Sequence, residues 1–298
     1  MINANSIKDR LKNLAKQDGS TMQEKLVTYA IERTIYRLSI SPYNERFTLK
    51  GGIFLYALFD KQFSRVTRDI DLLGQYISND INEISNVFRE IFSISCDDAL
   101  MFDLNSLSVD SITEFKEYHG VNVNIIAFLD RTKIPVSIDV GFGDIVYPNR
   151  IKMEFPSLLS MEEPIVYAYS LYSAIAEKFE AIVSLGYINS RYKDYYDIYV
   201  LASEFNLSGE LLKEAVVETF SHRNTGFKDM VVFEKTFIND SLRESRWNAF
   251  IKKKKAMINL TFKETMSTIE ILLEPIVDSI NNNTEFLLNW DSLNKKWK

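Results

Sequence analysis

Arg65-Val66-Thr67-Arg68-Asp69-Ile70-Asp71 follows the glycine pair Gly51-Gly52 and is the stretch on which the fold turns. Strand side chains alternate faces, so on a strand Asp69 and Asp71 project together while Ile70, Leu72 and Leu73 serve a core. Two aligned carboxylates suit a magnesium site, because hard divalent cations prefer carboxylate and phosphate oxygens. Such ions neutralise a triphosphate and align a hydroxyl for attack on the α-phosphorus. Asp-x-Asp alone also describes a solvated strand end, so its meaning comes from its surroundings.

Upstream, Phe47-Thr48-Leu49-Lys50 reads as a short strand and Ile53-Phe54-Leu55-Tyr56-Ala57-Leu58-Phe59 as an apolar helix, with Gly51-Gly52 between them. Glycines at a strand-to-helix junction let backbone N–H groups approach phosphate at a helix N-terminus, and they also make an ordinary tight turn. Downstream, Asp139 interrupts the apolar strand Ile134–Val140. An unpaired buried carboxylate is costly, which marks Asp139 as a third metal ligand or a general base. Asp144 follows two glycines and reads as a turn residue outside the catalytic set.

Two helices further on carry the remaining candidates. Lys178 is the one basic residue of Ser173–Val183, where a solvated surface lysine is the ordinary outcome. Ser190-Arg191-Tyr192-Lys193-Asp194-Tyr195-Tyr196-Asp197 opens the next helix, with Asp194 and Asp197 three apart on one face. Acidic residues in a first helical turn also serve as plain caps or ion-pair partners.

Taken in order, Lys50-Gly51-Gly52, Arg65-x-Thr67-x-Asp69-Ile70-Asp71, Ile138-Asp139-Val140-Gly141-x-Gly143-Asp144, Glu177-Lys178-x-x-Ala181 and Arg191-x-Lys193-Asp194-x-x-Asp197 form one series. The series resembles the AbiEii/AbiGii nucleotidyltransferase toxins of prokaryotic toxin–antitoxin and phage-abortive-infection systems, over residues 45–200. The resemblance implies a DNA polymerase β-like nucleotidyltransferase toxin. Asp69, Asp71 and Asp139 would hold Mg2+, or Mn2+ in its place. Gly51, Gly52, Arg65 and Lys178 would bind the NTP co-substrate, and Asp194 would be the essential acid of the last motif, orienting Lys178 or accepting a proton.

The resemblance further implies an RNA acceptor, the tRNA 3′ end, with translation and growth blocked, and a cognate antitoxin encoded separately. The rival expectations are a toxin that nucleotidylates protein and a catalytically silent nucleotide- or antitoxin-binding module. Thr67 stands where some relatives carry a hydroxyl that is silenced by phosphorylation, although a plain strand threonine fits equally. Two departures from the wider superfamily are visible. Gly52 is followed by Ile53 where serine is usual, and sixteen residues separate Gly52 from Asp69.

The whole chain has 298 residues, 46% of them hydrophobic, enough for a substantial core in one large or two smaller domains. One cysteine, Cys96, excludes an internal disulfide. Two histidines, His119 and His222, give no support to a zinc or histidine-based mechanism. The absence of a leader-like or bilayer-length apolar segment leads us to expect a cytoplasmic protein with no membrane partner.

The periodicities predict an α+β fold: a small mixed β-sheet core with flanking helices, followed by a mostly helical C-terminal region. The expected division is a nucleotidyltransferase-like domain with N-terminal helices over 1–165 and a helical domain over 166–298 that contributes Lys178 and Asp194. Residues 210–298 hold 14 Lys or Arg against 13 Asp or Glu, whereas the rest of the chain holds 21 against 28. Within that region Arg243, Arg246, Lys252 to Lys255 and Lys263, interleaved with Trp247 and Phe250, read either as a phosphate-binding surface with stacking aromatics or as a solvated helix face packed by its two aromatics.

Overall fold

The computed structural model describes residues 3–60, 67–113, 119–228, 230–252 and 259–298, which fall into two compact units. The first comprises residues 1–144 and 150–169, and the second comprises residues 145–149 and 170–298.

The first unit opens with helices α1 (Ala4–Asp18) and α2 (Met22–Ser39), each started by a polar cap. At α2 the Thr21 hydroxyl accepts from the Glu24 N–H while the Glu24 carboxylate accepts from the Thr21 N–H, a reciprocal capping box. Then come β1 (Phe47–Lys50), α3 (Gly51–Leu58), β2 (Ile70–Gly74), α4 (Ile81–Ser93), β3 (Leu100–Thr113), β4 (His119–Leu129), β5 (Thr132–Phe142), β6 (Ile151–Glu154) and β7 (Ile165–Ala168). The strands form one mixed sheet in the order β3-β4-β5-β2-β1-β7-β6. β2 runs parallel to β5 and β1 parallel to β7, and the other pairings are antiparallel.

The sheet is two-faced because its central sequences alternate. Val121, Val123, Ile125, Ala127 and Leu129 of β4 are buried, as are Ile134, Val136, Ile138 and Val140 of β5. The intervening residues, Asn122, Asn124, Ser137 and Asp139 among them, lie on the other face and are half-buried. In α4, buried Ile84, Val87, Phe88 and Ile91 recur at helical spacing, and Phe88 makes tilted ring contacts with Phe47 of β1 and with Phe92.

A buried charge cluster pins α2 to the connection between α4 and β3. Arg37 donates through Nη1 and Nη2 to the two oxygens of Asp98, at 2.6 and 3.1 Å, and Arg33 adds a third bond through Nε at 3.2 Å. Arg37 also satisfies the carbonyls of Ile94 and Leu100. On the same helix Glu32 accepts from the Leu158 N–H and the Ser157 hydroxyl, which ties in the loop between β6 and β7.

The second unit contains α5 (Leu171–Leu185), α6 (Tyr192–Glu204), β8 (Leu207–Ser208), α7 (Gly209–His222), α8 (Lys235–Ile238), α9 (Ser241–Ile251), α10 (Phe262–Asn281), β9 (Asn289–Asp291) and β10 (Lys296–Trp297). Tyr192, Tyr195, Trp247 and Phe262 bring α6, α9 and α10 together through edge-to-face and tilted ring contacts. Trp290 of β9 is fully buried and donates its indole N–H to the Ala202 carbonyl.

The fold is thus a mixed sheet with helices followed by a mainly helical region, with three local differences from the sequence reading. The division expected at 165/166 falls inside β7, which stays with the first unit because it pairs with β1. The C-terminal region also holds a three-stranded sheet, β10-β9-β8, whose strands are too short to leave a periodicity. The basic-aromatic stretch is partly core: Arg243 is buried against the Gly186, Tyr187 and Asn189 carbonyls and Trp247 is fully buried, so neither is a surface contact for RNA. Lys253 to Lys255 lie outside the described residues. No described helix is long and apolar enough to cross a membrane.

Asp98 supplies a stability test. Burial pushes its carboxyl up, and Arg37 and Arg33 more than offset this, holding it below the ordinary 3.8. Asp98→Ala leaves two buried guanidinium groups without their carboxylate and should destabilise the first unit by about 3–5 kcal/mol in denaturant titrations. In the wild type, the contribution of this carboxylate is complete above pH 3.8 and is lost as pH falls below it, through the folded value. The variant should lack that component of acid sensitivity.

Candidate active site

Parallel pairing of β2 with β5 sets Asp71 directly opposite Asp139. The row continues on both sides, because Lys50 is the β1 partner of Asp71 and Asn122 the β4 partner of Asp139. Four neighbouring strands therefore present Lys50, Asp71, Asp139 and Asn122 side by side on the half-buried face of the sheet.

Each member is held by its neighbours. Asn122 donates from Nδ2 to the Asp139 carboxylate at 2.6 Å and to the Ser137 hydroxyl at 3.0 Å, and Asn124 donates in turn to the Asn122 Oδ1. Lys50 Nζ forms an ion pair with Asp144 Oδ2 at 2.8 Å and lies 5.7 Å from the centre of the Tyr169 ring. Asp144, read from sequence as a turn residue, thus anchors the lysine beside the carboxylates.

At the β1–α3 junction Gly51 adopts φ +64°, the left-handed region that favours glycine. A Cβ at this position would collide with the Asp71 carboxylate. The missing side chain lets the first turn of α3 close over Asp71, and the Gly52 N–H reaches its Oδ2 at 3.4 Å. A helix N-terminus adjoining a carboxylate pair offers N–H groups and a favourable dipole to an anion.

Asp69 is not on the strand. β2 begins at Ile70, whose partner is Ile138, and Asp69 occupies an exposed bend immediately before it. Arg65 lies outside the described residues. Among the described residues no three His, Cys, Asp or Glu side chains gather closely enough to hold a metal alone. Mg2+ does not need such a cage, since it is commonly bound by one or two carboxylates together with substrate phosphates and water. A register-matched Asp71 and Asp139, with Asp69 two residues before Asp71, are hard oxygen donors of that kind.

The second unit holds its own charged cluster. Lys178 of α5 contacts Asp197 Oδ2 at 2.8 Å and Asp194 Oδ1 at 3.6 Å, both on α6, and Arg191 Nε donates to Asp194 Oδ2 at 2.7 Å. Lys178 is therefore not a solvated surface lysine: its side chain is only 11% exposed, and those of Asp194 and Asp197 are 1% and 0% exposed. Burial pushes the Asp194 carboxyl up, but Lys178 and Arg191 hold it below the usual carboxylate range. A carboxylate so stabilised is a weak proton acceptor, which favours positioning of Lys178 over general-base work.

Sequence reasoning passed over Lys50, Asp144 and Asn122 as site residues. For Asn122 the signal was present in Val121-Asn122-Val123-Asn124-Ile125, where amides alternate with core residues opposite the Asp139 strand.

A family model for the nucleotidyl transferase AbiEii toxin of type IV toxin–antitoxin systems matches residues 33–267. The chain belongs to this family. The AbiEii match extends from α2 into α10 and takes in Gly51, Gly52, Asp69, Asp71, Asp139, Lys178 and Asp194. It makes the chain a toxin-type nucleotidyl transferase with a nucleotide substrate and a cognate antitoxin. Two solved structures also match at 13% identity. JHP933 from Helicobacter pylori gives a TM-score of 0.45 over 84% of this chain and 90% of that one. An H. pylori protein described as a candidate nucleotidyltransferase gives 0.46 over 88% and 97%. A search of the curated proteins finds no match.

Gly51→Ala tests the candidate site while leaving every charged residue in the sequence, because its Cβ would push against the Asp71 carboxylate. The left-handed backbone costs an alanine about 1–2 kcal/mol, so a folded variant with a modestly lower melting temperature is expected. Displacement of the Asp71 carboxylate should nevertheless reduce nucleotidyl transfer by about 100-fold or more, the scale on which misplacement of a reacting group acts.

Proposed function

We propose that this toxin transfers a nucleotidyl group from an NTP to an RNA acceptor, the 3′ end of tRNA, in a Mg2+-dependent reaction that blocks translation and growth. The observation that carries the chemistry is the register pairing of Asp71 with Asp139 beside the N-terminus of α3. The tRNA acceptor, the arrest of growth and a role in phage defence rest on the family resemblance.

In this reading Asp71 and Asp139, joined by Asp69, hold the metal, which when bound neutralises phosphate charge and favours the departing pyrophosphate. Gly51 and Gly52 bring backbone N–H groups to the triphosphate, and Lys50, steadied by Asp144, adds positive charge on the same side. Lys178, held by Asp194 and Asp197, is the family's phosphate-contacting lysine. A terminal ribose hydroxyl bonds to the α-phosphorus as the bridging α–β bond breaks. Pyrophosphate leaves with the electron pair, and the hydroxyl proton passes to the Asp139 carboxylate, which Asn122 keeps oriented.

The test is to incubate the protein with total tRNA, Mg2+ and each α-labelled NTP in turn, beside Asp71→Ala and an EDTA-treated sample, and to separate RNA from protein products. Label on RNA should fall at least 100-fold in the variant and on metal removal. Label on protein alone would replace the acceptor, and label on neither would overturn the catalytic reading.

A further inference from the structure

The first unit contains a cavity of about 760 Å³ between the first turns of α2 and the β4–β5 hairpin, with Asp69 on its wall. We infer that this cavity seats the terminal nucleoside of the RNA acceptor, an inference that rests on the RNA-acceptor reading above. The volume falls within the roughly 300–1,000 Å³ of small-ligand pockets, enough for one nucleoside and its neighbouring phosphate.

Its lining has the chemistry that a nucleoside needs. Val27 and Pro135 give apolar walls for the faces of a base, while Asn124 and Ser137 offer hydrogen-bonding groups for its edge or for ribose hydroxyls. Ser137 accepts from Asn122, so its own hydroxyl proton remains available for donation. Arg68, exposed on the rim, can meet the phosphate that links the terminal nucleoside to the rest of the strand.

Position decides for the acceptor over the incoming nucleotide. The glycine turn and Lys50 lie on the β1 side of Asp71, whereas β4 and β5, which line the cavity, lie on the opposite side of β2. In-line displacement places the attacking and leaving oxygens on opposite sides of the phosphorus. With pyrophosphate held at the glycine turn, the attacking hydroxyl arrives from the cavity side. The bonds from Asn124 to Asn122 and from Asn122 to Asp139 connect the cavity wall to the carboxylate facing that hydroxyl.

The shape of β3 helps to open the space. Between the pairs Asp103↔Ile126 and Ser108↔Asn124, four β3 residues oppose Ile125 alone, and the Ser106 hydroxyl accepts from the Ile126 N–H. Ser106 also lines the cavity, so the irregularity and the pocket are parts of one local structure.

Val27→Phe fills the cavity from a half-buried helix position, and Asn124→Ala removes an edge contact. Binding of a fluorescent single-stranded RNA with a free 3′ hydroxyl should be measured by anisotropy without NTP, and NTP binding separately by calorimetry, with thermal melts to verify folding. Val27→Phe should weaken RNA binding at least 10-fold and Asn124→Ala about 3-fold or more, the scale of losing stacking or edge contacts to one base. NTP affinity of Val27→Phe should stay within about twofold, since Val27 holds neither the NTP nor the carboxylates. Loss of NTP affinity with RNA binding intact would assign the cavity to the incoming nucleotide and overturn the inference, as would two folded variants that bind both ligands normally. Failure of the RNA-acceptor reading appears earlier and separately, as wild-type protein that neither binds nor labels RNA.

Discussion

Everything at the candidate site depends on the register of two parallel strands. A slip of one residue between β2 and β5 would put Asp139 opposite a core leucine and turn one carboxylate away from the other. That register is fixed from beneath, where Ile70, Leu72, Ile138 and Val140 are each at most 1% exposed. The apolar face therefore specifies the geometry of the polar face. The row of candidate residues inherits its precision from the packing of the apolar residues beneath it.

The two units hold their cations in comparable ways. Lys50 rests against Asp144, and Lys178 rests between Asp194 and Asp197. A flexible ammonium in a phosphate site is useful only when its position is restricted, and carboxylate partners restrict it while keeping it charged. The same partners would compete with any incoming anion, so neither lysine is built as a tight anion trap.

Much of this architecture was legible because the sequence states it with two clear periods. The alternation in β4 and β5 and the spacing of Ile84, Val87, Phe88 and Ile91 each announce their element. Asp71, Asp139 and the glycine pair could be named because a polar residue in an apolar strand, or glycine at a junction, demands a reason. Lys50 and Asn122 were not named, since their meaning lies in cross-strand neighbours that are distant in sequence. Arg243 and Trp247 misled for the opposite reason: their composition suits a nucleic-acid surface, and only tertiary packing shows that they close the core between α9 and its neighbours.

The irregular stretch of β3 has a consequence beyond the pocket. β3 is one margin of the seven-stranded sheet, where a long strand would ordinarily offer an unpaired row of N–H and C=O groups to any other chain. The surplus residues between Asp103 and Ser108 break that row, and the exposed Asp110 adds charge farther along it. A feature that shapes a cavity on one side thus guards the margin against sheet-to-sheet aggregation on the other.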